Sequence, residues 1–198
     1  EPGDVQWMTA ASGVLHKEYY KKTWAQKGGI FQMVQLWVNL PSKNKMEKPA
    51  YQTLLHKQLG RYDLDTEGSR IEIVAGEYLG SGGPARTHTP VNLMNAYLKK
   101  GSHADFSFPS QYNTALLVVK GTVDVNGKEV KTDHFLKFAN DGEYFKVTAL
   151  DDAVVLVMSG QPLHEPFAAY GPFVMNTKQQ IYQAFDDFNA GKFGNLED

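Results

Sequence analysis

The sequence predicts an all-β protein closed by one C-terminal helix. Short apolar runs recur between turn residues, an Asn-Gly pair separates two of them, and the final stretch changes from a two-residue to a helical period. A sandwich or barrel of strands is the architecture such a pattern builds.

Residues 33–40 show the alternation best. Val34, Leu36, Val38 and Leu40 fall on one face, with Gln35, Trp37 and Asn39 on the other, so one buried face is expected. Pro41 ends that strand, and Lys43, Lys45, Glu47, Lys48 and Pro49 form a polar surface connection. Further strands are expected at 71–75, 93–98, 115–119, 122–125, 135–139, 144–150 and 153–158. Asn126-Gly127, between TVDV and KEV, predicts a type I′ hairpin because both central residues of that turn need positive φ.

Gly80-Ser81-Gly82-Gly83 reads as a flexible loop: Pro84 follows, and no helix stands behind it to cradle a phosphate. Pro162, Pro166 and Pro172 stiffen the approach to the helix. Asn176 or Thr177 caps that helix, with Gln179 or Gln180 in the capping-box place. Ile181, Ala184, Phe185 and Phe188 then give it one apolar face, up to Gly191. The three tryptophans, Trp7, Trp24 and Trp37, are expected in the core.

With 198 residues, 42% of them hydrophobic, the chain can build a substantial core. Twenty basic and 22 acidic residues are spread along it, so no basic stripe suits a phosphate backbone, and nucleic acid is not an expected direct ligand. The chain has no Cys, which leaves His and carboxylate as the strong metal donors. No apolar run approaches the ~20 residues that span a bilayer, and the default expectation is a cytoplasmic protein. Nucleophile elbows and paired-carboxylate motifs are missing, so hydrolase chemistry has no support.

A repeat locates the candidate site. DVQWMTAASGVLHKE, residues 4–18, matches DHFLKFANDGEYFKV, residues 133–147, without a gap: Asp4 over Asp133, Ala10 over Ala139, Gly13 over Gly142 and Lys17 over Lys146. The first copy carries His16 and Glu18 where the second has Phe145 and Val147. On a strand, residues two apart share a face, so His16 and Glu18 are expected to project together. An ordinary surface pair is the plain alternative. The apolar counterparts instead suggest a face looking into a barrel, where a His and a Glu are costly unless paired or metal-bound. Imidazole nitrogen with carboxylate oxygen suits first-row divalent metals. His56, His88 and His103 are expected to face solvent, His134 to lie at a turn, and the His164-Glu165 pair to be structural. The same offset predicts that the chain begins inside its first repeat unit.

Three segments together resemble the pirin family, two-barrel members of the cupin superfamily: GDVQWMTAASGVLHKE at 3–18, QLWVNLP at 35–41 and EPFAAYGPFVMNT at 165–177. The resemblance implies a bicupin whose N-terminal barrel holds one metal, usually iron, through three His and one Glu, and whose C-terminal barrel is metal-free. It assigns His16 and Glu18 as metal ligands. The other two would come from an upstream His-x-His pair, which these 198 residues lack. The first barrel is therefore expected to be incomplete, with residues 1–68 its C-terminal part and a connection, 69–160 the second barrel, and 161–198 a tail and helix packing on the barrels.

For function, the resemblance implies an iron-dependent dioxygenase of the quercetin 2,3-dioxygenase type, acting on a small aromatic substrate such as a flavonol. Glu18 would be both ligand and acceptor of the substrate hydroxyl proton, and this chain alone is expected to be inactive. The alternative is a non-catalytic, metal- or redox-responsive regulator that binds a protein partner.

Overall fold

The computed structural model describes residues 2–196. They form two compact units: residues 2–7 with Tyr51–Leu163, and Met8–Ala50 with residues 164–196.

The first unit is a β-sandwich. Its larger sheet contains β3 (Gly60–Asp63), β4 (Arg70–Ala75), β7 (Val91–Leu98), β9 (Asn113–Lys120), β12 (Phe135–Lys137) and β14 (Ala153–Gly160). They lie in the order β12-β9-β14-β7-β4-β3. The smaller sheet contains β8 (His103–Ser107), β10 (Thr122–Val125), β11 (Lys128–Lys131) and β13 (Tyr144–Ala149), in the order β11-β10-β13-β8. A short ribbon, β5 (Glu77–Tyr78) with β6 (Ser81–Gly82), completes it. β1 (Val5–Thr9) pairs with β2 (Ala50–Leu54) in a separate ribbon.

The alternation read from the sequence decides which side chains enter this core. On β9, Thr114, Leu116 and Val118 are buried while their neighbours are not. On β13, Phe145, Val147 and Ala149 point in. Ile71, Met94, Leu116 and Val155 from one sheet join Phe106, Val123 and Val147 from the other in a single cluster, so the two inner faces close over each other. The Asn126-Gly127 turn has φ of 51° and 84°, as a type I′ hairpin requires.

Several expectations are corrected here. Residues 80–83 are no loose loop, because Leu79 and Gly80, both at positive φ, turn β5 directly into β6. Position 69 is not a boundary. β3 pairs with β4 across residues 64–69, and Ser69 is fully buried. Residues 33–40 form no strand, and Met33, Val34, Leu36, Trp37 and Val38 are all exposed, so alternation is present without a sheet to bury it. Trp37 is consequently not a core residue, and Trp7 and Trp24 are only partly buried.

In the second unit the helix forms as the sequence indicates. α2 (Lys178–Asn189) starts at Thr177, whose hydroxyl accepts from the Gln180 amide at 3.2 Å while the Gln180 carboxamide accepts from the Thr177 amide at 3.0 Å. Ile181 is buried, and Phe185 packs edge-on to Phe173 of the ribbon β15 (Ala168–Tyr170) and β16 (Phe173–Met175). A short helix the sequence did not signal, α1 (Lys22–Lys27), gathers Tyr20, Trp24 and Phe31 into an aromatic group. No helix among the described residues is long and apolar enough to cross a membrane.

Candidate metal centre

β1 stops at Thr9, and the chain turns through Ala10 to Gly13, whose amide donates to the Ala10 carbonyl at 2.8 Å. Gly13 has φ of 112°, and a Cβ there would sit 2.4 Å from the Phe193 ring, so only glycine fits. Beyond it, residues 14–21 carry no strand pairing, and His16 and Glu18 are both exposed. The expectation of two inward-facing ligands on a strand is corrected accordingly.

The second repeat supplies the physical reason. There the equivalent stretch is β13, held on one side by β8 and on the other by β10. In the first repeat no strand pairs with residues 14–21. Without neighbours to satisfy its amides and carbonyls, the His16 segment has no ladder to fix which way its side chains point.

The donor types at His16 and Glu18 suit a divalent first-row metal, but their number does not. No group of three or more His, Asp or Glu capable of holding a metal occurs among the described residues. Among residues 2–196 these two side chains supply part of the donor set that a bound iron needs.

At the matching positions of the second repeat, Phe145 is 6% exposed and Val147 fully buried. Phe145 stacks on Phe106 at 5.1 Å between ring centroids and meets Phe138 at 4.5 Å. Aromatic rings thus stand where ligands would be needed, and no His is among the residues that line the adjoining cavity.

Two polar clusters lie elsewhere. Glu72 is buried at 3% exposure, and its carboxylate takes the Arg70 Nε at 2.8 Å and the His56 Nε2 at 3.0 Å. His56 is therefore tied to a partner rather than simply facing solvent. The Arg70 guanidinium also lies 4.2 Å from the centre of the Tyr97 ring, and burial, followed by the nearby Glu72 charge, pushes the Tyr97 phenol up. Sequence reasoning missed this cluster; Arg70-x-Glu72 on one strand face was its only local signal. His103 and His134 are exposed, with Asp105 at 3.7 Å from the first and the Thr132 carbonyl at 3.0 Å from the second.

The second cluster joins two of the sequence segments already singled out. Glu165 accepts from the Ser42 amide at 2.7 Å, the Ser42 hydroxyl at 3.1 Å and the Asn176 carboxamide at 3.1 Å. The Ser42 amide is the main cause that holds the Glu165 carboxyl below its usual range. Lys45 is buried beside it and donates to Asn39 at 2.5 Å; burial pushes its ammonium down, and Glu165 partly opposes this. Glu165 is a tie between chain segments.

Comparison with known proteins places this arrangement. Residues 93–194 match the pirin C-terminal cupin domain, and residues 1–38 match the pirin model. A Pseudomonas aeruginosa protein with a provisional quercetin 2,3-dioxygenase name is 43% identical over 97% of this chain and 67% of its own length. The chain belongs to the pirin family. Human pirin is 32% identical over 98% of this chain and 66% of its own length. A crystal structure of quercetin 2,3-dioxygenase from Acinetobacter baumannii superimposes with a TM-score of 0.94 at 43% identity, covering 98% of this chain and 68% of that one. This pirin-family chain thus spans about two thirds of the length of such relatives.

Proposed function

We propose that this pirin-family chain is part of an oxidoreductase of the quercetin 2,3-dioxygenase type, to whose iron centre it contributes His16 and Glu18. One observation carries the reading. Phe145 and Val147, the repeat counterparts of His16 and Glu18, both point into the closed sandwich. A completed first barrel would turn His16 and Glu18 inward by the same alternation. The family relationship and the quercetin dioxygenase names of the relatives support the same choice.

Two donors cannot hold the metal alone, so the reading requires further ligands from polypeptide outside these 198 residues. A flavonol is the substrate class. Glu18 is then the group positioned to accept the acidic hydroxyl proton of the substrate, a task within reach of a carboxylate at hydrogen-bond distance.

The second reading is a metal-responsive regulator that docks a protein partner. The exposed apolar side chains Ile30, Phe31, Val34, Trp37 and Val38 favour it, because such patches mark contact surfaces.

Oxygen uptake with quercetin by the iron-loaded full-length protein separates the two. Turnover that is lost in Glu18→Gln while the iron content persists supports the dioxygenase. An iron-loaded protein that consumes no oxygen with quercetin rules that reading out and favours the regulator.

A further inference from the structure

A cavity of about 100 Å³ opens at one end of the sandwich. Its floor is Phe108, Phe138, Phe145 and Thr114, and Tyr112, Asp141 and Glu143 stand at its rim. The position that carries His16 in the first repeat is here Phe145, so the cavity offers ring faces and no metal donor at its base.

The floor is already ordered. Phe106 and Phe145 stack within 20° of parallel, Phe138 leans on Phe145, and Phe108 lies 6.1 Å from it. The Thr114 hydroxyl is hydrogen-bonded to that of Ser159 at 2.8 Å.

The two loops of the rim are tied to each other by hydrogen bonds. The Phe108 amide donates to the Glu143 carbonyl at 2.9 Å, and the Asn140 carboxamide donates to the carbonyls of Gln111 and Tyr112, each at 3.1 Å. The carboxylates of Asp141 and Glu143 are exposed and carry no hydrogen bond or ion pair among the described residues. They are free acceptors beside an aromatic wall.

We propose that this cavity binds a neutral one-ring aromatic bearing hydroxyl donors, a phenol or a catechol. A buried cavity of ~150 Å³ lined by apolar side chains accepts benzene, so a space of this size with one open side takes a single ring and not a fused system. Edge and face contacts with three phenylalanines hold the ring. The free carboxylates accept its hydroxyl protons and repel a ring that carries negative charge. The site is separate from His16 and Glu18 and needs no metal.

Amide-resolved NMR titration with catechol tests it, under nitrogen, with chelator present and on a His16→Ala/Glu18→Gln background that removes any metal-bound catechol. Saturable shifts at residues 108–114 and 138–145, with half-saturation at roughly millimolar concentration or below, are expected for a ligand of this size. Ala139→Trp, a change at an exposed rim position, should abolish them, and benzoate should bind at least about tenfold more weakly, as charge repulsion predicts. Shifts that never saturate, that map elsewhere, or that survive Ala139→Trp overturn the proposal, as does benzoate binding as tightly as catechol. Because the background lacks both candidate ligands, success or failure here is independent of the dioxygenase reading.

Discussion

Residues 4–18 and residues 133–147 are two copies of one pattern in two physical states. In the second copy β12 and β13 sit in opposite sheets, each with hydrogen-bonded neighbours, and Phe145 and Val147 are buried. In the first, β1 forms and pairs with β2, but the stretch that corresponds to β13 has no flanking strand and its side chains meet water. The difference teaches that alternation supplies a face and neighbours decide whether it is buried. The shared glycine makes the same point: Gly142 has open space around it, whereas Gly13 is pressed against Phe193.

The largest test of that contrast is energetic. Phe106→Ala in the closed sandwich should cost about 4 kcal/mol, because a buried ring leaves a cavity, whereas Trp37→Ala should change stability by less than about 0.5 kcal/mol. Urea denaturation of the two variants measures both. Equal losses would mean that residues 33–40 are packed as well as the sandwich is.

Next in size is Glu72→Ala. Removing this buried carboxylate strands the Arg70 guanidinium and frees His56, at an expected cost of about 2 kcal/mol. The thermal midpoint should fall accordingly. A near-neutral result would show that the cluster is as dispensable as an exposed ion pair.

The smallest effect is a pH dependence at the β3–β4 turn. Asp65 accepts from the Ser69 and Glu67 amides, each at 2.9 Å, and from the Ser102 hydroxyl at 2.9 Å. Hydrogen bonding from Ser69 leads the causes that hold its carboxyl at about 2, below the ordinary 3.8. A depressed carboxyl stabilises the fold above the unfolded value and loses that contribution as pH falls through the folded one. The thermal midpoint of Asp65→Asn should therefore lie below that of the parent at pH 5, and the two should converge between about pH 4 and pH 2. A gap that persists at pH 2 would assign the effect to shape rather than to charge.

Much of the sandwich was legible. Short local rules place β4, β7, β9, β10, β13 and β14, the I′ turn at Asn126-Gly127 and the Thr177 cap, since each is settled by side chains within a few residues. β3 and β8 were missed because GRYD and HADFS are too mixed to show a period. Their pairing with β4 and β13 is a tertiary matter. The Glu72 cluster was hidden for a related reason: its members are His56, Arg70 and Tyr97, and only the fold brings them together.

By itself the sequence determined the class of fold, the repeat and the two residues that could serve as metal donors, because each is a matter of residue type and spacing along the chain. Tertiary structure alone decided that Phe145 and Val147 are inside while His16 and Glu18 are outside. Burial on a strand depends on the hydrogen-bonded neighbours that clamp it, and those neighbours are supplied from elsewhere in the chain.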